Sequence, residues 1–374
     1  MSEYQYHEWQ SLDRLLTPEE QSAVSGLSSH IDVTANRAVV TYHWSDFRYD
    51  PKQVLLKYFD AYFYRANWGR RRLMFRLPQG LPEEDDISPY LLDKYITFET
   101  MKEQQILDLD FYPPDGGWWM EGEASLSHFI HLRSDLLAGD YRLLYLAWLR
   151  AVTIVGSVFQ DDIRADTLEP PVPAGLKQLN PSLRNFIRFF GLDIFLVQAA
   201  AEASPDRKEA ESLDYRKPIE RLSRAECNDF LARLAEGDPS AGPALRKRLA
   251  GLFPTERPHS PERRTLQQLL ERAKELEIAE KKRQAEEARR KHIAEMQSLA
   301  KREGEVWQQV ESLLENGRRI ASVYDEATAL LEKLQQLSEF QNTRAVFRAR
   351  LHQLAQKFAS RPALIGRWES RGWV

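Results

Sequence analysis

Residues 261–316 read PERRTLQQLLERAKELEIAEKKRQAEEARRKHIAEMQSLAKREGEVWQQVESLLEN, with one proline at the first position and one glycine, Gly304. Ser260 can cap the first amides and Pro261 suits the first helical position, so the stretch predicts one long helix. Apolar residues at helical spacing form a seam near each end. Between them, residues 280–292 (EKKRQAEEARRKH) are almost entirely polar. This pattern favours a solvated spacer; the alternative, a basic side that tracks nucleic acid, is opposed by the interspersed glutamates.

The rest of the chain divides around this helix. Residues 1–122 mix strand and helix patterns and predict an aromatic-rich α/β sheet domain. Residues 123–252 carry helix patterns only and predict a helical middle domain, and residues 253–260 form a proline-rich linker. Residues 317–374 predict a helical hairpin followed by a tail that begins near Leu364. The predicted fold class is α+β: a mixed α/β sheet domain, a helical middle domain, a long charged helix and a C-terminal helical hairpin.

Local signals define several elements of the first domain. Thr17 begins TPEE, a capping-box start for a helix. A second helix is predicted from Pro51 through VLLKYFDAYFYRANW, because apolar residues recur on one helical face. Residues 71–77 alternate and predict a strand. The apolar face of the second predicted helix comprises Val54, Leu55, Tyr58, Phe59, Tyr62 and Phe63.

Composition limits the classes of function. The 374 residues are 43% hydrophobic, which supports real cores, and the net charge of −4 argues against attraction of the whole protein to nucleic acid or anionic membranes. The single cysteine, Cys227, excludes an internal disulfide and a multi-cysteine zinc site. The N-terminal residues show no secretion signal, and no stretch comfortably spans a bilayer. We therefore expect a cytoplasmic protein.

Two regions resemble known bacterial sequences. SEYQYHEW (2–9), LDRLLTPEE (12–20) and NWGRRRLMFRLP (67–78) resemble the opening of a bacterial family that brings no established activity. EVWQQVESLL (305–314), YDEATALLEKLQQL (324–337), FRARLHQL (347–354) and RPALIGRW (361–368) resemble the region that ends many bacterial SWIM zinc-finger proteins. The second resemblance implies a helical module. It does not carry over a zinc site or DNA binding, because one cysteine cannot build the CxC…CxH motif.

A cluster of arginines beside aromatic residues is the candidate nucleic-acid site. NWGRRRLMFR places Arg70, Arg71, Arg72 and Arg76 close to Trp68. Arginines can hold phosphates while aromatic rings stack on bases. The alternative is that these arginines face water from a half-buried sheet and pair with Asp60, with the acidic residues 83–86 or with another domain.

The candidate metal ligands are His128, His131 and Asp135, which have helical spacing. One helix alone rarely closes a metal site, so a structural role is the preferred interpretation, with no metal and no cofactor expected.

Catalytic motifs are absent from the sequence: there is no Walker loop, GxSxG, GxGxxG or kinase signature. His43 and Asp46, with Asp50 nearby, have the residue types of an acid–base pair, but a helix entry uses the same types for capping. Cys227 is interpreted as a packed residue. Paired carboxylates at Asp161, Asp162 and Asp166 fit a solvated helix end.

These observations favour a non-enzymatic bacterial protein that acts as a scaffold or regulator. Its partners would be other proteins, bound through the long helix or the C-terminal hairpin. The alternatives are a nucleic-acid-binding protein that uses residues 70–76 and an enzyme of unidentified reaction. An accessory role in a bacterial defence or stress system is a further interpretation.

Overall fold

The computed structural model describes residues 4–101, 104–112, 124–158, 166–207, 216–238, 240–252, 263–317 and 320–373. The chain divides into two compact units, Met1–Glu277 and Ile278–Val374. The first contains a β-sheet with helices and the second is helical, so the predicted α+β class is confirmed. None of the helices in these ranges has the length and apolar character needed to cross a bilayer.

The sheet of the first unit has seven strands within the described residues, in the order β2-β3-β1-β4-β5-β7-β6. Every neighbouring pair is antiparallel. The strands are β1 (Gln5–Gln10), β2 (Asp32–Val33), β3 (Arg37–Tyr42), β4 (Ala61–Ala66), β5 (Arg71–Pro78), β6 (Ile96–Met101) and β7 (Gln104–Phe111).

Helices account for most of the remaining described residues, together with short 3₁₀ turns at Ser88–Tyr90 and Leu126–His128. The α-helices of the first unit are α1 (Pro18–Ser25), α2 (Pro51–Tyr58), α3 (Glu84–Ile87), α4 (His131–Leu137), α5 (Arg142–Val158), α6 (Pro181–Phe190), α7 (Ile194–Glu202), α8 (Arg216–Ile219), α9 (Arg224–Ala235) and α10 (Ala241–Gly251). Those that follow are α11 (Leu266–Lys301), α12 (Glu303–Asn316), α13 (Ala321–Phe340), α14 (Arg344–Lys357) and α15 (Pro362–Glu369).

Both faces of the sheet are buried, because side chains alternate along each strand and each face carries its own apolar cluster. On one face, Trp9, Tyr62 and Met74 pack with residues of α1 and α2. On the other face, Phe63 and Phe75 pack with α4 to α7 and the start of α11. The predicted boundary after residue 122 lies outside the described residues, and the chain on its two sides shares this second core.

The helix predicted from Pro51 to Trp68 is wrong beyond Tyr58. Asp50 caps α2, but Phe59 adopts an extended conformation and β4 follows. Strand β4 pairs with β1 on one side and β5 on the other, and residues on both of its faces are buried. Its apolar run therefore lacks the alternation that identifies a strand, and short apolar runs fit a helix equally well.

The predicted long helix is divided into two. Ser260 and Pro261 lie outside the described residues, and α11 begins at Leu266, where Thr265 and Gln268 exchange hydrogen bonds as in a capping box. Arg302, with φ −117° and ψ 12°, separates α11 from α12, two residues before Gly304. Within the predicted spacer, residues 279–292, every residue is exposed except Glu280, which is half-buried.

The second unit has a core of its own. Side chains of α12, α13, α14 and α15 form it, and both Leu364 and Trp368 of α15 are fully buried. Trp368 Nε1 donates to Thr328 Oγ1 at 3.3 Å. The predicted hairpin corresponds to α13 and α14. The prediction of a tail from Leu364 is wrong, because α15 packs there as a further core helix.

Candidate functional site

Two arginines near the start of β5 bind carboxylates of the neighbouring strand β7. Arg70 donates from Nε and Nη2 to the two carboxylate oxygens of Asp110, at 3.1 and 2.7 Å. Arg72 donates in the same way to Asp108, at 2.8 and 2.5 Å. A guanidinium group matches a carboxylate in this bidentate geometry. Both cations are therefore neutralised within the sheet.

Arg76 and Trp68 also contact the protein itself. Arg76 donates from Nε and Nη2 to Asp60 Oδ1 at 3.1 and 2.5 Å. Trp68 is half-buried against the core on the α1 and α2 side of the sheet. The pairing with Asp60 is the one that the alternative interpretation of the arginine cluster anticipates. Three of the four candidate phosphate-binding arginines thus already have an acid as partner.

Arg71 differs from these neighbours, because alternation along β5 turns its side chain to the opposite face of the sheet. It is 7% exposed, and its guanidinium lies 4.4 Å from the ring centre of Phe189. Directly opposite on β4 is Arg65, whose guanidinium stacks on Tyr4 and Tyr6 at 5.3 and 5.0 Å. Burial, and then the charge of Arg65, lowers the pKa of Arg71 to about 10.

His7 of β1 occupies an aromatic pocket that the sequence did not reveal. Its Nδ1 is 2.9 Å from the hydroxyl of Tyr62, and its ring centre is 4.8 Å from that of Tyr64. Nε2 is buried and has no hydrogen-bond partner among the described residues. Burial lowers the pKa of His7 to about 3, so the ring is neutral near pH 7. A group with this pKa is poorly suited to general acid–base catalysis at neutral pH.

His43 and Asp46 do not form a hydrogen-bonded acid–base pair within the described structure. The ring of His43 packs edge-on against Tyr4, with ring centres 5.5 Å apart. Asp46 accepts a hydrogen bond from Gln5 Nε2. Asp50 accepts the amide of Lys52 at 2.9 Å as the N-cap of α2. Asp46 and Asp50 therefore have structural roles.

The candidate metal ligands have separate surroundings. His128 is exposed in its 3₁₀ turn, where its Nδ1 contacts Ser125, and His131 is exposed at the first position of α4. Asp135 accepts from Asn180 Nδ2 at 2.9 Å. Across the ranges that the structure covers, no group of three histidine, cysteine or acidic residues is arranged to hold a metal ion.

The remaining candidates are separated along the chain. Asp161 and Asp162 lie outside the described residues, and Asp166 is exposed. Cys227 is a half-buried free thiol in α9.

The second unit contains a cleft of about 140 Å³ between α13, α14 and the residues after α15. Gly372 has φ 66°, a conformation that favours glycine, and it turns the chain so that Trp373 Nε1 donates to Gln335 Oε1 at 2.8 Å. Arg348 on the rim is exposed and has no ion pair among the described residues. The lining side chains are Gln335, Ser338, Glu339, Arg344, Phe347, Arg348, Leu351, Arg371 and Trp373.

Comparison of this chain with protein-family models, with curated protein sequences and with solved structures gives no match.

Proposed function

We propose that the protein is a non-enzymatic interaction protein whose second unit binds a segment of another protein. The observation that carries this proposal is the cleft between α13, α14 and Trp373. Its floor includes the buried Phe347 and Leu351, and Arg348 at the rim is an exposed cation with no ion pair among the residues that the structure describes. A mostly polar cleft with arginines at its rim fits an acidic segment of a partner protein.

The exposed part of α11 supports a scaffold role. Residues 281–292 bury little surface, yet they remain helical. Ion pairs one turn apart, such as Arg283 with Glu280 and Arg290 with Glu286, stabilise such a segment weakly. A solvated helix keeps the chain regions at its ends at a defined distance, about 1.5 Å per residue, and presents a polar surface to partners.

The surroundings of the catalytic candidates favour structural roles for these residues. Asp46 and Asp50 accept structural hydrogen bonds, and the low pKa of His7 does not suit proton transfer near pH 7. Nucleic-acid binding is the second candidate function, favoured by Arg71, which has no carboxylate partner among the described residues. Because Arg70, Arg72 and Arg76 are paired, we expect such binding to be weak and salt-sensitive.

We further propose a cytoplasmic location in bacteria and an accessory role in a defence or stress system. The support for the bacterial setting is the pair of sequence resemblances, at residues 2–78 and 305–368.

Affinity purification of the full chain from its native host, followed by quantitative mass spectrometry, tests the interaction function. We expect Arg348→Glu to lose the partners that the wild type enriches, because the charge at the cleft rim is reversed. Arg224→Glu is the matched control, since Arg224 is an exposed arginine on α9 of the first unit. Partners that both variants retain equally would contradict binding at the cleft.

A further inference from the structure

The buried arginines of the first unit differ in how their charge is balanced. Arg133 donates to both oxygens of Asp13 and to the carbonyl of Arg76. Arg142 donates to Asp140 and to two backbone carbonyls. Arg71, at 7% exposure, is as buried as these residues. Within the described part of the chain its guanidinium has no hydrogen-bond acceptor and no carboxylate partner.

The residue opposite Arg71 increases this imbalance. Arg65 is its cross-strand partner, and like charges in directly opposite positions destabilise a sheet. Nε of Arg65 is buried and has no acceptor among the described residues. Desolvating Arg65 and Arg71 side by side has a cost in free energy that a bound anion would offset.

The aromatic contacts orient this pair of arginines. Phe189 lies under the guanidinium of Arg71, and the rings of Tyr4 and Tyr6 lie under that of Arg65. Stacking on aromatic rings fixes the guanidinium planes and leaves the N–H groups at their edges to donate hydrogen bonds, one of which runs from Arg65 Nη2 to the Tyr4 hydroxyl at 3.2 Å. Arg65, Phe189, Tyr4 and Tyr6 are half-buried, so the buried Arg71 lies beneath residues that are themselves partly exposed to solvent.

We propose that Arg65 and Arg71 form a binding site for a phosphate group, on the face of the sheet opposite to the Arg70–Asp110 and Arg72–Asp108 pairs. Two guanidinium groups match the charge of a phosphate dianion and supply several donors to its oxygens. Either free phosphate or a phosphate monoester presents this group. The site is independent of the protein-binding function proposed for the second unit.

Thermal unfolding and calorimetric titration of the full chain test this site, with inorganic phosphate and adenosine 5′-monophosphate as probes and sodium chloride at equal ionic strength as the reference. Phosphate binding raises the midpoint of unfolding of the wild type, because a ligand that binds only the folded state stabilises it. Arg71→Met weakens binding roughly tenfold or more, since charge-assisted donors are removed. Without ligand, this variant unfolds at a higher temperature than the wild type, because an unbalanced buried charge is gone.

Arg70→Gln is the matched control, since Arg70 is adjacent in sequence but on the opposite face, and it retains the response to phosphate. Binding of both probes identifies the phosphate group as sufficient, whereas binding of the monophosphate alone identifies an ester as the ligand. Binding of neither probe overturns the proposal, as does equal binding by Arg71→Met.

A measurement on the wild type avoids dependence on the folding of the variants. Phenylglyoxal modifies accessible arginines, and mass spectrometry locates the modified residues. Arg65, which is half-buried, is modified without phosphate and protected when the bound probe is present, while modification of Arg70 is unchanged. Equal modification of Arg65 with and without both probes would refute the site.

Discussion

Asp60 connects three parts of the first unit through one carboxylate. It is fully buried, its Oδ2 accepts the amides of Leu12 and Asp13 at 2.6 and 3.0 Å, and its Oδ1 accepts from Arg76. The carboxylate therefore fixes the turn after β1 and the strand β5 at the point where α2 gives way to β4. Hydrogen bonds from both amides and a cation offset the cost of burying its charge.

We expect Asp60→Ala to lower the free energy of unfolding of the first unit by about 3 kcal/mol at pH 7. This is the lower end of the range for breaking a buried ion pair, because Arg76 keeps part of its side chain in water. Urea denaturation monitored by tryptophan fluorescence measures the change. Arg14→Ala, which removes an exposed pair with Glu20, is the control and should cost less than about 1 kcal/mol.

Because the pKa of the same carboxylate is shifted, we expect the stability of the first unit to depend on pH. Burial alone would raise the pKa of Asp60, but Arg76 and the amides of Asp13 and Leu12 outweigh it and hold the pKa below its usual value. A lowered pKa in the folded state contributes stability that is complete above the unfolded value of about 3.9 and is lost as the pH falls through the folded value. The stability difference between wild type and Asp60→Asn should therefore be constant above about pH 5 and shrink below about pH 4. If the stability difference between wild type and Asp60→Asn grew as the pH fell, the pKa of Asp60 would be raised in the folded state rather than lowered.

At the scale of elements, two segments that the sequence predicts as helical have different structures. In α11 the charged residues 281–292 are helical because local propensity and ion pairs suffice. In residues 61–66 the apolar spacing also fits a helix, but pairing with β1 and β5 satisfies the backbone and buries both faces. Pairing with distant strands overrides a local pattern here, because it satisfies the backbone and buries both faces.

We expect Ala285→Pro to break α11 locally, at a cost of about 3 kcal/mol in the helix interior. Because Ala285 is exposed, the unfolding of the first unit should remain nearly unchanged, whereas any function that needs both ends of the helix is lost. Circular dichroism and partner capture measure these effects, with Ala285→Ser as the control. If the variant is insoluble, or the first unit melts many degrees lower, residues 279–292 do not act as a solvated spacer.

At the scale of the whole molecule, the two compact units contain separate apolar clusters. The first unit includes the clusters on the two faces of the sheet, and the second contains the cluster around Trp307, Leu331 and Trp368. Each unit therefore has its own source of hydrophobic stabilisation. Ion pairs that join the C-terminal residues to α13, such as Arg367 with Asp325 and Arg371 with Glu332, add little to this stabilisation.

Trp368→Ala should destabilise the second unit by about 3–5 kcal/mol, because it removes a fully buried ring and leaves a cavity. Differential scanning calorimetry of the full chain should show two transitions, of which only that of the second unit moves. Phe75→Ala is the reciprocal change, since Phe75 is fully buried in the first unit and should move only the other transition. One transition that shifts as a whole in both variants would show that the units unfold together.

The sequence by itself determined the elements whose signals are local. Thr17 and Glu20 form the predicted capping box, Asp50 caps α2, and the alternation of residues 71–77 corresponds to β5. The α+β class and the exposure of residues 281–292 also follow from patterns a few residues long. These features were predictable because the groups that satisfy the backbone are close neighbours in the chain.

Only the tertiary structure decided which partner each arginine of RRR (70–72) has. Alternation predicts that Arg71 faces away from its neighbours, but Asp108 and Asp110 are separated from them by more than thirty residues and become partners only when β7 pairs with β5. The identity of β4, the core position of Trp368 and the buried surroundings of His7 were decided in the same way. Each depends on contacts between distant segments, and burial on two sides removes the periodicity from which such contacts would be inferred.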